Sequence, residues 1–282
     1  MTTFLESTHI PCPDGLTMGV DVYGPEGAET PLPVVVMCHG FKGFRKWGMF
    51  PPLAERLAEG GRAVVLFDFS HNGVGENPES FDRMDLFKVQ TISRAIEDLG
   101  TVLDFLQDDA LAARCHLQQE GRVNVVGHSM GGGVALLRTA TDGRIAQVCS
   151  LNGVSHLQRL TDEVLAELEA EGYVTIKNVR TGQEMPLGSE WFDDLPNHDI
   201  EGAAQTIFVP SLVVQGDEDP NVKPHEGQSI ADWIPAARLV MVEGGDHTFG
   251  ARHPFTKWTA PLEEVARELD AFLPSLDRLG GI

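Results

Sequence analysis

Ser129 stands in Gly127-His128-Ser129-Met130-Gly131, with a glycine two residues to either side. A serine hydroxyl is a weak nucleophile by itself. It attacks an acyl carbonyl when a base takes its proton and an acid orients that base. The chain offers both further on. Asp217 and Asp219 follow Gly216, and Asp246 and His247 follow Gly244-Gly245. The order is serine, acid, histidine. His/Cys/Asp clusters at zinc-ligand spacing are absent, so no metal is expected.

These residues need elements that carry them to one place. The apolar run 123–126 reads as a strand that stops at Gly127, and a helical pattern opens over 130–140. Ser129 then occupies a sharp strand-to-helix turn. Side chains at Gly127 or Gly131 would collide with the neighbouring strand and helix, and the helix N-terminus favours negative charge near the serine oxygen. Residues 211–216 and 238–243 read as strands ending at the candidate acids and at His247. Loops at the carboxyl ends of parallel strands share one edge of an open sheet, so residues far apart in sequence can converge there.

The remaining pattern is consistent with that sheet. Residues 4–10 and 16–23 alternate like a hairpin turned at Pro13-Asp14-Gly15. Strands are expected over 32–38, 62–69 and 145–151, and helices over 49–59, 85–107, 224–233 and 259–272. Alternating strands and helices imply an α/β fold: a mostly parallel sheet of about eight strands with helices on both faces.

On these residues the chain resembles the α/β-hydrolase superfamily over nearly its whole length. The resemblance is nearest to the small-capped carboxylesterases, which include feruloyl esterases, and to the serine-aminopeptidase-like branch. It implies Ser129 as nucleophile, Asp219 as acid and His247 as base. The family places its acid three residues beyond the strand-ending glycine, which favours Asp219 over Asp217. His39-Gly40-Phe41-Lys42-Gly43 resembles the family's His-Gly motif. The backbone N–H groups of Phe41 and Met130 would then form the oxyanion hole. Asp246 is the rival acid, but adjacency to His247 gives it poor geometry. His39 is expected to brace its loop, His128 to pack beside the site, and His71 to be structural or to lie at the rim. The loop Ser70-His71-Asn72-Gly73 departs from the family's Asp-x-Arg-Gly form. Gly73 and Gly75 make no dinucleotide fingerprint, because position 78 is Pro. No cofactor is expected.

The stretch between Leu151 and Ser211 is far longer than a crossover needs. Leu160, Val164, Leu165 and Leu168 suggest a short helix, and 173–178 with 183–187 a hairpin. By the family resemblance, residues 154–208 are expected to form a small cap inserted in a core made of 1–153 and 209–282. Trp191 and Phe192 are candidates for its substrate-binding lining.

The 282 residues carry 42 Asp and Glu against 21 Lys and Arg, a net charge of −21. That argues against nucleic acid and anionic membranes as partners, and none is expected. It also disfavours strongly anionic substrates unless a local basic patch exists. No apolar run is long enough to span a membrane, and the opening residues 1–7 lack the pattern of a signal peptide. Cys12, Cys38, Cys115 and Cys149 show no paired spacing, and Cys38 and Cys149 lie in apolar strands, so a reduced, cytoplasmic protein is expected. The leading expectation is a carboxylesterase acting on a small-molecule ester through an acyl-enzyme. A peptidase would need cap carboxylates for a free amine, and Glu167, Glu169, Glu171, Asp193 and Asp194 are available. Thioesterase, acyltransferase and non-catalytic ligand binding stay open, as does oligomeric state.

Overall fold

Runs of β-branched residues build the centre of the molecule. The computed structural model describes residues 2–28, 30–108, 122–159 and 161–275. Ten strands are described: β1 (Thr3–Pro11), β2 (Thr17–Pro25), β3 (Val34–Cys38), β4 (Ala63–Phe67), β5 (Val123–His128), β6 (Ile145–Leu151), β7 (Tyr173–Lys177), β8 (Glu184–Gly188), β9 (Ser211–Gly216) and β10 (Ala237–Val242). Eight form one sheet in the order β1-β2-β4-β3-β5-β6-β9-β10. β1 and β2 form an antiparallel hairpin, β2 meets β4 antiparallel, and the other pairs are parallel.

The inner strands are covered on both faces, so their sequences are continuously apolar. Side chains alternate along a strand. Val34, Val36 and Cys38 of β3 therefore enter one core, while Val35 and Met37 enter the other. The first core holds α3 (Ile92–Phe105), α4 (Met130–Thr139) and α8 (Pro224–Trp233); the second holds α1 (Phe50–Glu59) and α9 (Ala260–Phe272). Among the described residues no helix is long and apolar enough to cross a membrane. Cys115 and Leu160 lie outside the described residues.

The single helix expected over 85–107 is two. α2 (Met84–Lys88) ends at Val89, and α3 starts afresh after Thr91. Thr91 is extended (φ −144°, ψ 163°), and its hydroxyl accepts from the Arg94 N–H as an N-cap. Local capping by a threonine competes with helix continuation, and no Gly or Pro marks the break.

The stretch after β6 carries α5 (Asp162–Glu171), the β7–β8 hairpin, α6 (Ser189–Asp194), a 3-10 turn (Leu195–Asn197) and α7 (Ile200–Gln205). Its two halves differ. Leu195, Ile200, Ala204 and Ile207 are buried in the same core as α3 and α4, whereas α5 has no buried residue. Met185 and Leu187 of β8 pack with Phe44, Phe81 and Phe87.

The loop after β4 is tied to α3 by a buried carboxylate. Asp98 Oδ2 accepts from the Ser70 N–H at 2.8 Å and the Ser70 hydroxyl at 2.9 Å. Burial nevertheless pushes its carboxyl up to about 7, against the ordinary 3.8. Between those values the folded protein holds a proton that the unfolded chain has released, so stability falls as pH rises through this window. Asp98→Asn removes the dependence. The gap between variant and wild type should shift in the variant's favour by up to roughly 4 kcal/mol between pH 4 and pH 7. Urea unfolding at several pH values reads it, and a gap independent of pH would contradict the assignment.

Candidate active site

Ser129 caps α4 with φ 56° and ψ −122°, a left-handed conformation rare for a residue with a side chain. Its neighbours leave no room for relaxation. A Cβ on Gly127 would stand 2.1 Å from the Gly131 carbonyl oxygen, and one on Gly131 would stand 2.4 Å from that of His39. The turn thus sits hard against the end of β3.

The ends of β9 and β10 bring up the partners. His247 Nε2 lies 3.1 Å from Ser129 Oγ, and His247 Nδ1 lies 2.7 Å from Asp219 Oδ2. The Asp219 carboxylate is buried, and its Oδ1 accepts from the N–H groups of Asn221 (2.7 Å) and Val222 (3.0 Å). An ionised carboxylate is an acceptor only, so Nδ1 carries the proton and Nε2 is left to accept from the serine hydroxyl. The other acids point elsewhere. Asp217 accepts from the Gly244 N–H at 2.8 Å. Asp246 Oδ1 accepts from the N–H groups of Thr248 (3.0 Å) and Gly250 (2.7 Å), and Oδ2 pairs with Arg252 at 3.1 Å.

Two buried polar residues hold the histidine loop. His128 Nε2–H donates to the His247 carbonyl at 2.7 Å. Burial, with His247 beside it, pushes His128 down to about 3, so it is neutral. Asn152, just past β6, also has a left-handed φ, 44°. Its Nδ2 donates to the carbonyls of Asp246 and His247, both at 3.1 Å, and its Oδ1 accepts from the Gly216 N–H at 2.7 Å. One side chain thereby links the acid-bearing and histidine-bearing loops. Sequence reasoning missed Asn152; its one signal is a polar residue directly after an apolar strand. His39 braces its loop: Nδ1–H donates to the Gly40 carbonyl at 2.9 Å, and Nε2 accepts from the Phe69 N–H at 3.3 Å. Burial pushes His39 down as well. His71 is buried, with Nδ1 2.7 Å from Ser70 Oγ.

Ser129 and His247 open on a cavity of about 430 Å³, together with Phe41, Met130, Trp191 and Phe192. The N–H of Met130 is one of the unpaired donors of the first turn of α4. Neither it nor the Phe41 N–H donates to another protein group among the described residues. The Phe41 and Trp191 rings lie 5.2 Å apart. Val154, Leu157, Val164, Ile176, Leu187 and Leu195 complete an apolar wall that the sequence did not single out. None of Glu167, Glu169, Glu171, Asp193 and Asp194 lines it. Glu167 instead accepts from the Thr175 N–H, and Asp194 from Ser93. Among the described residues no cluster of His, Cys, Asp and Glu could hold a metal ion.

Residues 35–269 match the Alpha/beta hydrolase family. The 2,6-dihydropseudooxynicotine hydrolase of Paenarthrobacter nicotinovorans is 27% identical over 237 residues, 83% of this chain and 57% of that protein. The quorum-quenching protein AidA of Acinetobacter baumannii (strain MDR-ZJ06) is 30% identical over 122 residues, 43% of this chain and 36% of that protein. The chain thus spans about half, or less, of the length of these curated relatives. Est1E from Butyrivibrio proteoclasticus, solved with ferulic acid bound, superposes with a TM-score of 0.75 at 19% identity, covering 97% of this chain and 99% of that one. At that identity the likeness speaks for the fold. The chain belongs to the α/β-hydrolase family.

The Asn152 link generates a test. Asn152→Ala takes away the side-chain acceptor of the buried Gly216 N–H and one of the two donors to each of the Asp246 and His247 carbonyls. Those carbonyls keep the Phe249 N–H and the His128 Nε2–H, respectively, and the change puts Ala at positive φ. A buried N–H that loses its acceptor costs roughly 1–3 kcal/mol. Asn152→Gly loses the same bonds without the backbone strain, which is about 1–2 kcal/mol for a residue with a Cβ. Both should lower the urea midpoint, Ala more than Gly. A midpoint unchanged in both variants would remove Asn152 as a tie between the loops.

Proposed function

We propose that the protein is a serine hydrolase that cleaves small-molecule carboxylic esters through an acyl-enzyme. The observation that carries this reading is the continuous Asp219–His247–Ser129 hydrogen-bond chain opening on an apolar cavity. In the proposed reaction His247 Nε2 takes the proton as Ser129 Oγ attacks the acyl carbon. Asp219 holds the ring and stabilises its charged form. The N–H groups of Phe41 and Met130 receive the developing oxyanion. His247 returns the proton to the leaving alcohol, and water activated by the same nitrogen then releases the acid. These steps use no cofactor.

We further propose that residues 154–208 serve as a cap that selects the acyl group, with Trp191 and Phe192 in its lining. A peptidase that recognises a free amine is the weaker reading, because the acidic side chains it would need do not border the cavity. Thioester and acyl-transfer substrates would use the same residues. The buried thiols of Cys12, Cys38 and Cys149 suit the reduced, cytoplasmic setting we propose.

Ser129→Ala should lower ester turnover on the order of a million-fold and abolish labelling by a fluorophosphonate probe. Asp219→Asn should cost roughly ten-thousand-fold by favouring the wrong imidazole tautomer, while Asp217→Asn costs far less. Unlabelled wild-type protein would point to a binding role; the reverse ranking of the two aspartates would overturn the choice of acid.

Trimming Trp191 or Phe192 to Ala should change the ranking of 4-nitrophenyl esters of graded chain length more than it changes turnover of the acetate. An unchanged ranking in both variants takes these rings out of the acyl pocket.

A further inference from the structure

The cavity at Ser129 has the opposite charge character to the protein. Among the described residues no Asp or Glu lines it, and none lines the second cavity that also borders Ser129 and His247. Their charged lining is cationic: Lys42 in both, Arg159 in the first and Arg180 in the second. One of these cations is already paired. Arg159 pairs with the buried Glu226 carboxylate and donates to the Asn221 carbonyl. Arg180 lies over the Phe44 ring at 5.9 Å and is exposed, where water solvates its charge.

Lys42 differs. It is half-buried, and its backbone is left-handed at φ 56°. Its Nζ donates to a neutral acceptor, the Lys177 carbonyl of β7, at 3.3 Å, and stands 5.8 Å from the Phe41 ring centroid. Among the described residues no carboxylate pairs with it. Partial burial of an ammonium group without a counter-ion is unfavourable, and an anion arriving there recovers a charge-assisted hydrogen bond. Burial also pushes the Lys42 ammonium below its usual range. In a protein of net charge −21, such a pocket is a local reversal of a field that otherwise repels anions.

We propose that the substrate is an ester bearing a free carboxylate, and that Lys42 binds that carboxylate. This inference rests on the ester-hydrolase reading of the same cavity. Lys42 is a specificity residue, and its three donors and flexible stem let it meet a carboxylate on the acyl or the alcohol side.

Two matched pairs of esters test it. Mono-4-nitrophenyl glutarate is compared with 4-nitrophenyl valerate, and 4-acetoxybenzoate with its methyl ester. The measured quantity is the ratio of kcat/KM, charged over neutral, in wild type, Lys42→Gln and Lys42→Arg. In at least one pair the ratio should fall about tenfold in Lys42→Gln, the loss of one charge-assisted hydrogen bond, and recover in Lys42→Arg. The pair that responds identifies the side that carries the carboxylate. Ratios unchanged in both pairs, or equal losses on charged and neutral esters, overturn the proposal and leave the ester reading intact. If wild type hydrolyses none of the four, the ester reading fails instead, and calorimetry with 4-phenylbutyrate and 4-phenylbutyramide decides the anion site. A preference for the acid that disappears in Lys42→Gln sustains it; no preference removes it.

Discussion

A serine held at φ 56° and ψ −122° is the constraint on which this site depends. Such a conformation costs of order 1–3 kcal/mol and persists only when the surroundings over-determine it. Here they do. The Ser129 N–H donates to the Leu151 carbonyl of β6, and the Ser129 carbonyl accepts from the N–H groups of Gly132 and Val154. The strand before, the helix after and the neighbouring strand each hold one part of the turn. The glycines at 127 and 131 let them approach. The result is a hydroxyl presented at the sheet edge, in a fixed direction, before any partner is considered.

The partners are fixed by a different means. Ser129 is held by strain and close packing, but His247 lies on a loop. Its position relies on hydrogen bonds to its backbone from His128 and Asn152, both buried. His128 and His247 rings lie only 4.9 Å apart. A charged His128 there would oppose the positive charge that His247 is proposed to carry during the reaction. Burial keeps His128 neutral, so it supplies a donor without supplying a charge. The same economy appears at His39, whose ring joins the loop after β3 to the loop after β4.

Local chemistry was legible in the sequence where a single stretch determines it. The Gly127/Gly131 spacing and the apolar strands could be read directly, because each reflects a period or a close approach encoded within a few residues, whereas the choice of Asp219 over Asp217 rested on the family resemblance. Asn152 could not. Its importance comes from three backbone groups contributed by the loops at Gly216 and at Asp246–His247, and those meet only in the folded chain. The break at Thr91 was invisible for a related reason: the apolar spacing continues across it, and only the side-chain cap reveals the new start. The segregation of acids away from the cavity was equally hidden. Composition reports the total charge, whereas the side of a helix or hairpin that faces Ser129 depends on how the insertion packs.

That packing gives the cavity two unlike walls. Trp191 and Phe192 stand on α6, which leads directly into Leu195 and Ile200, side chains buried in the core that also holds α3 and α4. This wall shares its foundation with Ser129, and displacing it would disturb the core. Val164 and Arg159 approach from the other half of the insertion. α5 buries none of its residues there, and Leu165 stays 47% exposed. Local stability follows buried apolar contact, so the α5 side is the weaker wall. If the cavity takes the proposed ester, anchorage on one side and light packing on the other would hold the reacting group against fixed rings while the remainder of the ligand met the more yielding surface. Adaptation to different ligands would then fall on α5, where change costs little, and spare the α6 wall on which the approach to Ser129 depends.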